Sequence, residues 1–234
     1  MGKYKKGPLY MNIMSSINLP EAIIVLVVNS VIIVPKTKGI VPVFNIDQLK
    51  AIGDAIKDGT FIGIVQKSDD GQIYAIGTLT KILDINEIDI DSGSIKKKDD
   101  LKNFDHTAVL LTLGGISRFK IEQKEQFNGY LLAKVSYDNY VVDMVEHHDF
   151  SMDRHRLMGA LKKYLKKLDV EHNLDELMKF SNEKLVHVLT MFCPLDSKEK
   201  QALLETPSII EQYKMMTKLL EISSYGYGNS TMVH

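Results

Sequence analysis

The stretch AIIVLVVNSVIIVP, residues 22–35, decides how the rest of the chain is read. It is the most apolar part of the sequence. From Ala22 to Val34 it is thirteen residues long, interrupted by Asn29 and Ser30 and stopped by Pro35. A membrane-spanning helix needs about twenty apolar residues. Nine of the thirteen are Ile or Val, whose branched side chains suit a pleated strand better than a helix. The stretch therefore predicts two strands, Ala22–Val28 and Val31–Val34, on either side of a tight turn or bulge at Asn29-Ser30. Lys3, Lys5 and Lys6 lie upstream like the start of a signal peptide. Pro20 and Glu21 separate them from the apolar run, and no small-residue cleavage site follows. Gly2 does not begin a myristoylation signal, because position 6 is Lys instead of Ser or Thr. A cytoplasmic protein without a membrane partner is expected.

Working outward, short apolar runs alternate with turn signals up to about Val145. Lys38–Phe44 predicts an extended segment. Asn45 predicts a helix N-cap with Gln48 as its capping-box partner. Leu49, Ile52 and Ile56 then recur at helical spacing, giving one amphipathic helix to about Lys57, ended by Asp58-Gly59. Phe61–Gln66 predicts a strand, Ser68–Gly71 a turn, and Ile73–Ile85 a long strand in which Gly77 marks a bulge or a close backbone approach. Asn86–Asn103 is polar and charged and predicts a loop or an irregular hairpin. Thr107–Leu113 and Arg118–Glu122 predict strands around a turn or bulge at Gly114-Gly115, and Tyr130–Tyr137 a last strand. Several short strands with one helix among them suggest a closed or nearly closed β-barrel.

Beyond Val145 the apolar period becomes helical. Leu157, Leu161, Tyr164, Leu165 and Leu168 form one stripe, opposite Lys162, Lys163, Lys166 and Lys167. Asn173 and Glu176 predict a capping box opening a helix toward Met191, with a break at Ser181 and a stop at Pro194. Asp196 with Glu199 predicts a third cap. Thr206-Pro207 predicts the start of a final helix bearing Ile209, Ile210, Tyr213, Met216 and Leu220. Four helices with short loops predict a small bundle. The expected organisation is a barrel over residues 15–145, a bundle over 146–222, and flexible ends at 1–14 and 223–234.

Composition narrows the chemistry. The 234 residues are 44% apolar and 25% charged, enough to bury a core without disulfide or metal. Twenty-nine basic and thirty acidic residues leave a net charge of -1, so no global field draws in nucleic acid. One cysteine, Cys193, excludes an internal disulfide and a multi-thiolate zinc site. Beside Phe192 and Pro194 it is expected to behave as a small buried apolar residue. No P-loop, GxGxxG, HExxH, GxSxG or CxxC motif occurs. His147, His148 and His155 cluster with Glu146, Asp149 and Asp153. Adjacent residues point apart and His148 and His155 lie two helical turns apart, so a solvated hinge is expected instead of a metal site. His106, His172 and His187 are isolated and are expected to be structural or surface residues. The charged segment Asn86–Asp100 is expected to be a solvated loop, and the lysine face of 157–168 the outer side of an amphipathic helix. No catalytic residue, metal or cofactor is expected.

The ordered features resemble the Lon substrate-binding domain, the N-terminal domain of Lon proteases. The resemblance runs through Leu19-Pro20, Ile23–Val28, Asn29–Pro35, Val41–Phe44, the helix Leu49–Ile56, Ile62–Lys67, Ile76–Ile82, Gly115–Ile121 and Lys200–Glu205, spanning residues 17–222. Lys36 stands where that family usually carries Gly. Asn45, Asp47 and Gln48 replace its usual basic or aromatic residues. The resemblance implies an α+β fold, a PUA-like β pseudo-barrel with one helix followed by a C-terminal helical bundle. It also implies a domain that binds proteins without cutting them, here as a free-standing member ending before an ATPase or protease module.

Three functions follow for comparison. The first is a non-catalytic protein- or peptide-binding module, an adaptor or regulator in proteolysis, with unfolded or extended segments as clients and a protease or chaperone as partner. Apolar pockets and edge-strand pairing would supply its affinity. Its expected contacts are Pro35, Lys36, Val41, Pro42 and Phe44, with Phe61 and Tyr74 as further aromatic surface. Core or turn geometry competes for each, and is the preferred place for Phe44 and Phe61. The second is RNA binding, by analogy with other PUA-like barrels, which the near-zero charge disfavours. The third is an enzyme, for which the sequence assembles no acid, base or nucleophile. Self-association through β edges or the Met-bearing last helix is the remaining partner.

Overall fold

The computed structural model describes residues 19–57, 59–88, 95–97, 108–145, 150–170 and 174–225. The chain divides into two compact units, Met1–Glu146 and His147–His234. The first unit holds β1 (Ala22–Val28), β2 (Lys38–Val43), α1 (Ile46–Lys57), β3 (Phe61–Gln66), β4 (Ile76–Ile88), β5 (Ile95–Lys97), β6 (Ala108–Phe127), β7 (Tyr130–Ser136) and a 3-10 turn at Val141–Met144. β1 pairs in parallel with β3 and antiparallel with β7. The β3–β4, β4–β6 and β6–β7 pairs are antiparallel. These five pairings close a ring, so the sheet curls into a small barrel. β2 adds to the first half of β6, and β5 to the end of β4. The α+β barrel with one helix is the architecture that the resemblance implied.

The double burial of β1 explains its unbroken apolar run. Ile23 and Val25 pack with Val65, Leu79, Phe119 and Leu131. Ile24 and Leu26 face the other way and pack with Ile33, Val41, Leu49, Ile52 and Ile62. A strand buried on both faces has no polar positions to alternate.

Several predicted elements need correction. Val31–Val34 is not a strand. Ser30 turns the chain at φ 55°, and Ile32, Ile33 and Val34 are buried without ladder pairing. At Gly114-Gly115 the expected turn is absent, because β6 runs through it for twenty residues. The bulge alternative is present: Leu79 pairs with Ser117 and Thr80 with Gly115, leaving Ile116 as the extra residue of β6. A Cβ on Gly115 would lie 2.2 Å from the Val34 carbonyl oxygen, so the glycine lets the 31–35 segment cross β6. Gly77 is a close approach, where a Cβ would stand 2.5 Å from the Ile64 oxygen. The irregular registers of β4 fall elsewhere, at Leu79/Thr80 and Ile82/Asp84. In the charged segment, Asn86–Ile88 pairs with β5 as a hairpin; residues 89–94 and 98–107 lie outside the described residues. Asn45 caps α1, its Oδ1 accepting from Asp47 N at 2.8 Å and Gln48 N at 3.2 Å. Gln48 donates to the Val27 carbonyl instead of returning to the cap. The tip of β6–β7 is Asn128-Gly129, both at positive φ, a two-residue hairpin signal.

One feature of the barrel had no sequence signature. Arg118 of β6 and Asp143 of the 3-10 turn form a buried pair, with side chains 4% and 6% exposed. Nη2 reaches Oδ1 at 2.7 Å and Nε reaches Oδ2 at 2.9 Å, while the backbone N of Arg118 donates to Oδ2 at 2.8 Å. The guanidinium also lies 4.5 Å from the Tyr140 ring centroid.

The second unit holds α2 (Arg154–Lys167), α3 (Asp175–Met178), α4 (Asn182–Phe192), α5 (Ser197–Glu205) and α6 (Ile209–Tyr225). There are five described helices where four were predicted. Ser181 caps α4 by accepting from Lys184 N, which makes the break expected there and leaves α3 a single turn. Asn173 lies outside the described residues. Arg154 holds the break together by donating to the carbonyls of Leu177, Met178 and Phe180 and to Asn182 Oδ1. Asp196 and Glu199 make the full capping box. The start of α6 is shifted. Ser208, not Thr206, accepts from Glu211 N, and Thr206 Oγ1 turns back to the Ala202 carbonyl. Leu157, Leu161, Leu165, Leu185, Leu189, Leu203, Met216 and Leu220 form the core. Leu168 and Ile210, predicted on apolar stripes, are exposed. α6 continues to Tyr225, past the predicted end of the bundle at residue 222.

Candidate functional site

The site is built on β2. Successive strand side chains point to opposite faces, and KGIVPV alternates accordingly: Val41 and Val43 enter the barrel core while Lys38, Ile40 and Pro42 face outward. Beyond the strand, Phe44 and Ile46, the first residue of α1, are exposed as well. Ile40 is 62%, Phe44 67% and Ile46 50% exposed. Ile40 and Pro42 share one face of β2, and a patch of exposed apolar side chains is a feature monomers generally keep small.

Pairing register widens this row into a face. Across β2, β6 and β4 the outward residues align as Lys38, Gly114 and Lys81, then Ile40, Thr112 and Asp84, then Pro42, Leu110 and Asn86. Leu83, also exposed, lies over Gly114, with its Cδ1 3.2 Å from where a Cβ would be.

Of the seven expected contact residues, two are exposed apolar residues on this face, Pro42 and Phe44. Phe44 corrects the preference for a core position. Val41 is core, 1% exposed, because it has the opposite parity on β2, and Pro35 is buried with the 31–35 segment. Lys36 is exposed before β2, in the left-handed region at φ 62°, and its Nζ donates to the Val145 carbonyl at 2.8 Å. That backbone shape accounts for Gly being usual at this position in the resembled family. Phe61 is half-buried against the β1–β7 core cluster, and Tyr74 half-buried in the β3–β4 connection. Ile40, Ile46 and Leu83 were missed. The alternation of KGIVPVF carries the signal for Ile40, and nothing in the sequence signals the bulge that exposes Leu83.

The outer edge of β2 has no strand partner among the described residues. Gly115 N donates to the Thr37 carbonyl, so the odd-numbered residues turn their backbone groups toward β6 and the even-numbered ones toward the free edge. Pro42 is on the free-edge set and offers no N–H there. Edge pairing is thereby shortened. Pro42→Val restores the donor on an apolar edge. It is expected to increase concentration-dependent self-association, measured by sedimentation, while leaving the unfolding midpoint within about 1 kcal/mol of the original.

The second unit has an open groove of about 730 Å³ lined by His155, Arg156, Gly159, Ala160, Lys163, Glu221, Ile222 and Ser224. Arg156 Nε and Glu221 Oε1 lie 2.7 Å apart, and this bond holds the Glu221 carboxyl below the usual carboxylate range. Cys193 is buried, and burial pushes its thiol up to about 12, so it holds almost no thiolate at neutral pH. Among the described residues no three His, Cys, Asp or Glu side chains come together as a metal site. His106, His147, His148 and His172 lie outside them, His155 is exposed at the groove and His187 is buried in α4. No helix of the described residues is long and apolar enough to cross a membrane.

The first unit is a curled sheet with an open apolar face, and the second is helical. Residues 22–221 match the model of the ATP-dependent protease La (LON) substrate-binding domain, and the chain belongs to that family. Two solved structures are similar in fold. A Lon N-terminal domain protein from Xanthomonas campestris is 19% identical, with a TM-score of 0.53 over 85% of this chain and 96% of that one. The N-terminal domain of a Mycobacterium avium complex Lon protease is 16% identical, with a TM-score of 0.56 over 85% of this chain and 97% of that one. No curated protein matches the chain.

Proposed function

We propose that the chain is a non-catalytic module that captures unfolded or extended protein segments on the face formed by Ile40, Pro42, Phe44, Ile46 and Leu83. It acts in the cytoplasm as an adaptor or regulator of proteolysis, handing clients to a protease or chaperone. The observation that carries this is the contiguous outward apolar row on β2 in a chain of the substrate-binding family. Apolar side chains at alternate positions of a bound segment lose water against this row, with little demand on sequence. Lys36 stands at the rim, and Phe61 and Tyr74 contribute through the half of each ring left open.

The test is binding of a fluorescently labelled, permanently unfolded protein to the full chain. Ile40→Ser with Phe44→Ser is expected to weaken binding by at least tenfold, because each loses roughly 1–2 kcal/mol of apolar burial. Both positions are exposed, so the melting temperature should stay within a few degrees. Unchanged affinity in the double variant, or cleavage of the client by the purified chain, overturns the proposal.

A further inference from the structure

We infer that the segments this face takes carry an acidic side chain at one end, seated between Lys38 and Lys81. This rests on the binding role proposed for the face. The two lysines stand on either side of Gly114 in one cross-strand row. Neighbouring strands lie about 4.8 Å apart, which sets the lysine Cα atoms roughly 10 Å apart. Gly114 places no side chain between them, and Leu83 gives the gap an apolar floor.

Both lysines are exposed, and neither is paired with an acidic side chain among the described residues. Lys36 is nearby but committed to the Val145 carbonyl. The next row is Ile40, Thr112 and Asp84, and the Asp84 carboxylate accepts from Asn86 Nδ2 at 3.2 Å. The face therefore runs from a cationic end through an apolar middle to a flank bearing one carboxylate. A ligand carboxylate is attracted at the lysine row and repelled one row further on.

The rows repeat every second strand residue, about 6.6–6.8 Å. An extended segment matches them when an acidic residue is followed, at two and four positions away in either chain direction, by apolar residues. Acid–x–apolar–x–apolar is the pattern recognised.

The experiment uses the full chain and labelled nine-residue peptides, blocked at both ends, in both chain directions. Each holds two apolar residues at alternate positions and Glu, Gln or Lys at the matching end position. Fluorescence anisotropy is read at low salt and at 0.5 M salt. The Glu peptide in one direction is expected to bind about five- to tenfold more tightly than its Gln counterpart at low salt, with Lys weakest, and the preference shrinks in high salt. Lys38→Gln with Lys81→Gln, both on the surface, should erase the Glu–Gln difference. Equal binding of Glu and Gln peptides, still weakened at least tenfold by the Ile40→Ser, Phe44→Ser variant, overturns the acidic preference while the capture function stands. A preference that survives in the lysine variant also overturns it. No binding by any peptide removes both.

Discussion

Replacing Asp143 by alanine is expected to destabilise the protein by roughly 3–5 kcal/mol, the cost of leaving one member of a buried ion pair without the other. The carboxylate accepts from the Arg118 guanidinium and from the Arg118 backbone N–H. Alanine removes those acceptors at once, at a site where water does not reach. For a chain of this size about 2–4 °C accompanies each kcal/mol, so the melting temperature should fall by on the order of 10 °C. Asp143→Leu combined with Arg118→Met removes both charges. It should recover a large part of the loss, short of the bond to the Arg118 backbone N–H. Urea denaturation of the three proteins decides the matter. A single variant within 1 kcal/mol of the original would mean that the pair is solvated in solution.

Gly115→Ala is the second large effect. The added methyl would stand 2.2 Å from the Val34 oxygen and 2.9 Å from its carbonyl carbon. Backbone cannot rotate away as a side chain can, so the 31–37 segment must lift. That strains the Lys36 N to Gly115 O bond of 2.9 Å and the Gly115 N to Thr37 O bond of 2.8 Å, and it loosens Ile33 and Val34, which are core residues. Overpacking at such a site costs about 3 kcal/mol or more. Gly53→Ala is the matched control. Gly53 lies inside α1 with nothing within 4 Å of a new Cβ, and the same substitution there should be neutral or stabilise by up to about 1 kcal/mol. Denaturation midpoints moving in the same direction for both would contradict the crossing at Gly115.

The elements legible in advance were those written in local chemistry. β1 and β3 follow from β-branched runs, and α1 from Asn45 and the spacing of Leu49 and Ile52. The Asp196–Glu199 box and the break at Ser181 are equally local, since a cap is an interaction within one turn. Val31–Val34 was misread because strands and buried crossing segments have the same composition, and only the available partner distinguishes them. At Gly114-Gly115 the bulge alternative holds and the turn does not, for the converse reason. Glycine marks a close approach as readily as a reversal, and the approaching chain lies about eighty residues away in sequence. Part of the candidate site is legible in the sequence: Pro42 and Phe44 are exposed as expected contacts, while Val41 is core because the parity of β2 is set by its pairing with β6.

Composition, β-branched runs and caps were enough to determine a strand-rich first part and a helical second part, and the ordered segments from Leu19-Pro20 to Lys200–Glu205 carried the resemblance to a substrate-binding domain. These depend on neighbours a few residues apart, which the sequence displays directly. Only tertiary structure decided that β6 is one strand, that Arg118 finds Asp143, and that Lys38, Gly114 and Lys81 share a row. Those relations are set by pairing register between distant strands, where a shift of one residue sends every side chain to the opposite face.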